Sequence, residues 1–443
     1  MKKKQNNWKN TYWNWDMNNK VKIGSFCKVR RGASPRPIDD VRYFGGDVGW
    51  IRISDVTKSF KYLNKTEQYV SPLGESLSVR VDKGDLVMSI CGTIGRPIII
   101  NIPSCIHDGF VQLYEIQNAD KEYLYYILQH HEKDLERKGQ PGTQVNLNTT
   151  IVENFEIYFP QKPIQTQIAK ILSTADAVIE KTQAAIAKYK AIKQSMLQDL
   201  FTRGIDLSTS QLRPRYEDAP ELYKENKLGW IPREWGDRVF GKEVELIHGH
   251  QFRDYDFTDF GIPVVKIGQV KPEDVDLSNC SFVRAGREEE FQNEIIQNGD
   301  LLMALTGATL GKACLVKGLN GIVLQNYRVG RFEPIVKEND IDKEFLYYLL
   351  IAGDLLTQIF NKVNTGAQGN IGKADFEKAT FKKPPFEEQK RIAERLKAID
   401  NKLESEQTYL QKMQLLKKGL MEDLLSGKKQ LKVMEELVTH NES

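Results

Sequence analysis

The sequence predicts an α+β protein made by tandem duplication: a strand-rich globular domain followed by a long helix occurs twice, and the two helices pair as a coiled coil. The first observation is an internal repeat. Lys193-Gln194-Ser195-Met196-Leu197-Gln198-Asp199-Leu200 matches Lys417-Lys418-Gly419-Leu420-Met421-Glu422-Asp423-Leu424. The same offset of 224 (417 minus 193) maps Pro160 onto Pro384, Gln165 onto Gln389, Ile168-Ala169 onto Ile392-Ala393, Asp176 onto Asp400 and Gly142-Thr143-Gln144 onto Gly366-Ala367-Gln368. Upstream the offset drifts, as insertions make it do. Asp120-Lys121-Glu122-Tyr123-Leu124-Tyr125-Tyr126 matches Asp342-Lys343-Glu344-Phe345-Leu346-Tyr347-Tyr348, and Gly84-Asp85-Leu86-Val87-Met88 matches Gly299-Asp300-Leu301-Leu302-Met303. The second observation is the texture of each repeat's first part, where short β-branched runs such as Trp50–Val56 and Leu86–Ile90 alternate with Gly, Pro, Asn and Asp turns. The third is a pair of heptad seams.

Taken in order, residues 1–159 form the first strand-rich domain with an N-terminal extension, in which Trp8, Trp13 and Trp15 fit no motif. Residues 160–203 form the first helix, opened by Pro160 and Pro163, since proline is pre-set for a helix's first turn. Residues 204–236, rich in Pro, Gly, Ser and charge, read as an exposed connector whose end, Leu228-Gly229-Trp230-Ile231-Pro232, packs down. Residues 237–383 repeat the strand-rich domain, 384–428 repeat the helix behind Pro384-Pro385, and 429–443 read as a tail.

In the first helix, apolar residues fall at Ile168, Leu172, Ala175, Ile179, Ile186, Tyr189, Met196 and Leu200, spaced alternately by four and three. The second seam is Ile392, Leu396, Ile399, Leu403, Leu410, Met413, Leu420 and Leu424. The polar exceptions occupy equivalent places: Thr182 and Lys193 in one, Glu406 and Lys417 in the other. A polar seam residue costs stability but fixes register. A stripe of roughly 33 residues is longer than one small domain covers, the mean helix being about 11–12 residues. The two helices therefore suit each other, against the plainer reading of two amphipathic helices each lying on its own domain.

The chain has 443 residues, 40% hydrophobic and 28% charged, which excludes wholesale disorder and collagen-like or disulfide-scaffold classes. No apolar run approaches a membrane span, and the N-terminus lacks a secretory apolar core. Five scattered cysteines without a CxxC pair fit small core residues in a reducing cytoplasm. A net charge of +3 is compatible with a nucleic-acid partner without demanding one. Catalytic motifs fail on their chemistry. Gly307-Ala308-Thr309-Leu310-Gly311-Lys312-Ala313 has the wrong glycine spacing for a phosphate loop and no Ser/Thr after Lys312. Lys383-Pro384-Pro385-Phe386 lacks the acceptor side chain with which an amino-methyltransferase would bind an exocyclic amine. His248-Gly249-His250 has no further ligand at metal spacing, and His107-Asp108 has no nucleophile beside it. No catalytic residue and no metal ligand is assigned.

What recurs is glycine-bearing turns beside basic and amide residues. In repeat one these are Arg30, Arg31, Ser34 and Arg36; Arg52 and Ser54; Thr93 and Arg96; and Thr143 and Gln144. In repeat two they are His248, His250 and Gln251; Lys266 and Gln269; Thr306 and Thr309; Gln325, Asn326 and Arg328; and Gln368 and Asn370. Arg, Lys, Gln and Asn read guanine and adenine edges, and glycine turns let backbone amides reach phosphate. The loops differ between repeats while the frame around them matches, as two readers of different sequences require. Each loop taken singly also fits an ordinary exposed polar cluster.

With these residues in hand, the chain resembles the specificity (S) subunits of type I restriction-modification systems over about residues 20–430. The resemblance rests on Trp50-Ile51-Arg52-Ile53-Ser54-Asp55-Val56, the Gly-Asp-Leu strand starts, the Gly92-Thr93-Ile94-Gly95 turn, the helix opening Pro-(Pro)-x-x-x-Gln-x-x-Ile-Ala and Leu228-Gly229-Trp230-Ile231-Pro232-Arg233-Glu234-Trp235. It implies a non-catalytic, cytoplasmic DNA-recognition subunit with two target-recognition domains, each reading half of a bipartite, asymmetric site in double-stranded DNA. It implies an antiparallel coiled coil that separates the domains and docks two modification (methyltransferase) subunits, with restriction subunits joining through the complex. S-adenosylmethionine, ATP and Mg²⁺ are then expected on those partners and none on this chain. One departure is Gln161-Lys162-Pro163-Ile164-Gln165, where the family pattern has Glu-Glu-Gln, present here as Glu387-Glu388-Gln389; an effect on subunit docking is expected from it. In an antiparallel coil, matching polar seam positions sets Lys193 against Glu406 and Thr182 against Lys417. Readings from other classes are a nuclease or methyltransferase with an unrecognised site, and a coiled-coil scaffold that binds protein.

Overall fold

The computed structural model describes residues 20–139, 146–335, 340–361, 371–429 and 431. The chain divides into two compact units: residues up to Gln183 together with those from Thr408 onward, and Ala184–Gln407. The division crosses the middle of both long helices, Lys162–Thr202 and Phe386–Leu425, so each unit holds one strand-rich domain and one half of the coil.

In the first unit, strand Lys20–Lys22 pairs antiparallel with Glu156–Tyr158 and joins the two ends of the domain. Between them a five-stranded sheet runs in the order Lys28–Arg31, Phe110–Tyr114, Leu86–Ser89, Pro97–Ile100, Tyr62–Leu63. A four-stranded sheet runs Gln68–Val70, Phe44–Ile51, Ser104–Ile106, Val79–Val81. Leu86–Ser89 and Pro97–Ile100 are buried at every position, so apolar residues run consecutively (Leu86 to Met88, Pro97 to Ile100) instead of alternating with polar ones. The second unit repeats this plan, with strand Gly236–Val239 pairing Thr380–Lys383. Its two sheets run Val244–His248, Val329–Pro334, Leu301–Ala304, Ala313–Leu315 and Phe257–Thr258, Ser281–Val283, Ile262–Val265, Leu324–Gln325.

The repeated motifs are joints of this frame. Gly84 and Gly299 have φ of 88° and 92°, a left-handed conformation that favours glycine. The aspartate after each closes the turn: Asp85 accepts from the Asp82 amide at 2.9 Å and Asp300 from the Gln297 amide at 2.8 Å. Asp120 caps helix Lys121–His130 and Asp342 caps helix Lys343–Ile351. Each cap is tied to a long helix by the buried glutamine of the helix-opening motif. Gln165 accepts from the Asp120 amide at 2.9 Å and donates to the Pro160 carbonyl at 2.7 Å; Gln389 does the same with Asp342 at 3.0 Å and Pro384 at 2.9 Å.

The helices pair antiparallel, as expected, but not in the expected register. Lys193 pairs with Asp400 (2.6 Å) and Lys417 with Asp176 (2.7 Å), while Glu406 pairs with Lys402 of its own helix (3.0 Å) and Thr182 donates to the Val178 carbonyl (2.8 Å). The register lies about one heptad from the one that sets Lys193 against Glu406. Asp400 and Asp176 sit one residue beyond seam positions 399 and 175, and a lysine's flexible stem lets its ammonium reach them from the seam. Each aspartate also accepts from a tyrosine of the domain helix in its own unit, Tyr126 to Asp176 at 2.6 Å and Tyr348 to Asp400 at 2.9 Å.

Residues 204–236 are not an exposed connector. Ile205–Asp206 pairs with Gln211–Leu212, Tyr223–Asn226 pairs with Gly229–Pro232, and Ile205, Ile231 and Trp235 enter the second unit's core. They are fixed by Glu388, which is fully buried. It accepts from Arg213 Nη1 (2.5 Å) and Nη2 (3.0 Å), from Trp235 Nε1 (3.0 Å) and from the Ile205 amide (2.7 Å). The equivalent Ile164 is buried in the first unit's apolar core. The Glu-Glu-Gln departure has an internal counterpart: Glu388 receives the folded segment after the first helix.

Candidate nucleic-acid interface

The pairing brings the described members of the sequence-selected loops of each repeat to one end of its sheets. Arg31 pairs with Val111, Ser89 with Phe110, and Ile51 with Ile106, so the segments after Arg31, Ile51, Ser89 and Ile106 leave from the same end. The second unit does the same with His248 opposite Gly330, Ala304 opposite Val329 and Val265 opposite Gln325. The crowding requires glycine at one position in each: a Cβ on Gly32 would lie 2.1 Å from the His107 carbonyl oxygen, and one on Gly249 2.1 Å from that of Gln325.

In the first unit Asp108 organises the loop. It accepts from Ser34 Oγ at 2.7 Å and Arg36 Nη2 at 3.1 Å, and its carbonyl accepts from Arg31 Nε at 2.6 Å. The Ser34 bond, joined by the charges of Arg36, His107 and Arg31, holds the Asp108 carboxyl below its ordinary range despite partial burial. Burial pushes the His107 imidazole below its usual value, and its Nδ1 accepts from the Gly109 amide at 2.9 Å. Arg31, Arg36 and Arg52 are exposed and half-buried Ser54 follows Arg52, whose backbone is capped by Asp55 at 2.8 Å. Arg30 is engaged within the sheet, with Gln112 Oε1 at 2.6 Å and Tyr114's ring at 5.1 Å. Thr93 and Arg96 lie in the turn held by Ser89, whose Oγ donates to the Thr93 carbonyl and accepts from the Arg96 amide at 3.3 Å.

In the second unit His248, His250, Gln251 and Arg328 are exposed. His248 Nδ1 lies 3.0 Å from the Tyr327 carbonyl, and the His250 ring packs against Phe252 and Phe291. Arg328 donates to Tyr327 Oη at 2.6 Å. Lys266 sits 3.7 Å over the Phe257 ring and donates to Ser281 Oγ at 2.8 Å; burial lowers its pKa. Thr306 flanks the 307–309 turn, and Thr309 donates to the Ile267 carbonyl at 3.1 Å.

Three selected side chains are parts of the frame instead. Gln325 is fully buried and donates to the Ile247 and Val329 carbonyls at 2.9 and 2.8 Å. Gln269 accepts from the Lys266 amide at 3.2 Å and donates to the Asn279 carbonyl at 2.9 Å, the capping place that Asp55 fills in repeat one. Buried Asn326 accepts from the Arg328 amide at 3.2 Å. Amides are selected by residue type, and only the fold distinguishes a base-reading amide from one that closes a turn. Thr143, Gln144, Gln368 and Asn370 lie outside the described residues, as do Trp8, Trp13 and Trp15. Among the described residues no three His, Cys, Asp or Glu side chains converge as metal ligands.

The family model for the type I restriction modification DNA specificity domain matches residues 15–189 and 250–415, one match to each repeat. The chain belongs to this family of type I DNA-specificity subunits. It is 26% identical to the type I restriction enzyme MjaVIII specificity subunit of Methanocaldococcus jannaschii, across 93% of both chains. It is 28% identical to that organism's putative MjaX specificity subunit, across 70% of this chain and 68% of the other. The crystal structure of the S subunit from M. genitalium shares the fold, with TM-score 0.57 and 15% identity over 93% of this chain and 98% of that one. Within the type I family the chain is a DNA-recognition subunit and not a catalytic one. Sequence reasoning overlooked Asp108 and Tyr327 as the organisers of its loops. The signal was present, because Asp108 stands beside His107 and Tyr327 between Asn326 and Arg328, but one-dimensional reading gave neither a partner. No helix among the described residues is long and apolar enough to cross a membrane.

Proposed function

We propose that each domain reads one half of a bipartite, asymmetric site in double-stranded DNA, that the coil separates the readers and docks two modification subunits, and that restriction subunits join through the resulting complex. S-adenosylmethionine, ATP and Mg²⁺ belong to those partners, and the cytoplasm is the compartment where such a complex meets DNA. The supporting observation is one loop frame with two sets of side chains. Arg31 and His248 precede equivalent glycines, Arg52 and Lys266 directly follow equivalent strands, and His107-Asp108 answers to Asn326-Tyr327. A map of methylated bases in a genome carrying the system tests this. A split motif with unlike halves, centred about 10–11 base pairs apart, is the expected result; an uninterrupted or palindromic motif overturns it.

Asp108 competes with a DNA phosphate for Arg36. Arg36→Ala is expected to lower affinity for all sequences and flatten the logarithmic salt dependence by about 0.9, one phosphate contact. Asp108→Asn is expected to act oppositely on non-specific duplex, raising affinity several-fold, while loosening discrimination at the first half-site. Salt titrations on matched and unrelated duplexes read both effects. A fall in non-specific affinity for Asp108→Asn would remove this arginine from the interface.

A further inference from the structure

Each domain helix carries a glutamate toward the coil: Glu122 in the first unit and its repeat equivalent Glu344 in the second. The two are neutralised from opposite sides. Lys61, on the recognition domain, donates to Glu122 Oε2 at 3.0 Å and to Ser173 Oγ at 2.9 Å, and Ser173 donates to the same carboxylate oxygen at 2.6 Å. Tyr62 donates to the other oxygen. In the second unit the cation comes from the coil, where Lys397 pairs with Glu344. Residue 397 is the repeat equivalent of Ser173, at the same offset of 224.

The recognition domain shows the reverse exchange. Tyr125 donates to the Phe60 carbonyl at 3.0 Å, and its equivalent Tyr347 donates to the Pro272 carbonyl at 3.3 Å. These bonds make Phe60 and Pro272 corresponding positions, and the next residue is Lys61 in one domain and Glu273 in the other. The first joint therefore has lysine on the domain and serine on the coil, and the second has lysine on the coil, with exposed Glu273 at the position that corresponds to Lys61. The Lys61 side chain is only 8% exposed, whereas that of Lys397 is 52% exposed, so the first joint is the more sensitive to loss of its cation.

We propose that residues 61 and 173, which touch in the first unit, form a compatibility pair, with 273 and 397 as their counterparts by position, that decides which recognition domain can be seated on which half of the coil. A domain that brings its own lysine suits a serine on the coil, and a domain without one needs the coil lysine. Exchange of recognition domains between the two positions must then carry the matching coil residue with it. This rests on the modular-reader reading for its biological use, but the pairing is measured on the protein alone.

The test uses the full chain and thermal melting without DNA. Lys61→Glu, which gives the first domain the second domain's residue, is expected to lower the first unit's melting temperature on the order of 10 °C. Ser173→Lys alone, with two ammoniums beside Glu122, is expected to lower it by a few degrees. The double variant Lys61→Glu/Ser173→Lys, which copies the second joint, is expected to recover at least half of the Lys61→Glu loss. A double variant that melts at or below Lys61→Glu overturns the proposal, as does a Lys61→Glu variant that melts like the parent. If Lys61→Glu does not accumulate folded, Lys61→Met with and without Ser173→Lys gives the same comparison. Loss of the bipartite methylation motif with the melting pattern intact would overturn the reader assignment and leave the pairing standing.

Discussion

Glu388→Ala is expected to destabilise the second unit by about 3–5 kcal/mol, the usual cost of leaving a buried charge without its partner. Glu388 is fully buried and serves three groups at once: the Arg213 guanidinium, the Trp235 indole N–H and the Ile205 amide. Removing it leaves buried Arg213 with only the more distant, exposed Glu234 at 3.6 Å as a carboxylate partner and two N–H donors unmet, each at its own desolvation cost. Glu388→Gln keeps the shape and an acceptor, and is expected to lose less. Replacing both members, Arg213→Met with Glu388→Leu, is expected to recover much of the loss, because an apolar pair of similar volume avoids the desolvation of two ions. Denaturant unfolding followed at Trp235 measures all four proteins. A Glu388→Ala protein within 1 kcal/mol of the parent would show that residues 204–236 are not held as described.

Asp176→Ala carries the second large effect, expected at about 3 kcal/mol on the first unit. Asp176 faces Lys417 at 2.7 Å and Tyr126 at 2.6 Å, with side chains of Asp176 and Lys417 only 5% and 14% exposed. Lys417 also lies 5.6 Å from the Tyr126 ring centroid, so its ammonium is enclosed on several sides. The repeat-equivalent Asp400→Ala is expected to cost less, about 1–2 kcal/mol, since Lys193 and Asp400 are 20% and 29% exposed and water screens what remains. The ranking separates this register from the one matched by polar seam positions, in which Glu406→Ala would be the damaging change. Here Glu406 pairs with Lys402 on its own helix, and its loss is expected to cost a few tenths of a kcal/mol. Denaturant midpoints of the three variants decide the order.

The loops were legible because the repeat fixes the frame and glycine, arginine and amide residues mark what varies within it. The roles of individual side chains were not. Gln325 and Arg328 lie three residues apart and both suit base recognition by type, yet one is buried under two carbonyls and the other is exposed. Burial depends on strands that pair across 60 residues or more, such as Val265 beside Gln325, and no local pattern reports it.

The sequence by itself determined the duplication, the α+β class and the antiparallel-compatible seams, because each rests on identity or periodicity within the chain. The starts of the two long helices were equally local, since proline is pre-set for the first turn it opens. Tertiary structure alone decided the coil register, the fold of residues 204–236 and the partner of Glu388. Seam matching treated Lys193 as a residue needing a partner in its own layer, but a lysine stem spans more than one layer and the carboxylate that meets it stands outside the seam. Residues 204–236 looked like a linker because Pro, Gly and charge are what linkers contain. They are folded because one buried carboxylate, 175 residues beyond Arg213, collects their donors. A charge pair of that sequence separation has no local signature; it exists only once the core around it has closed.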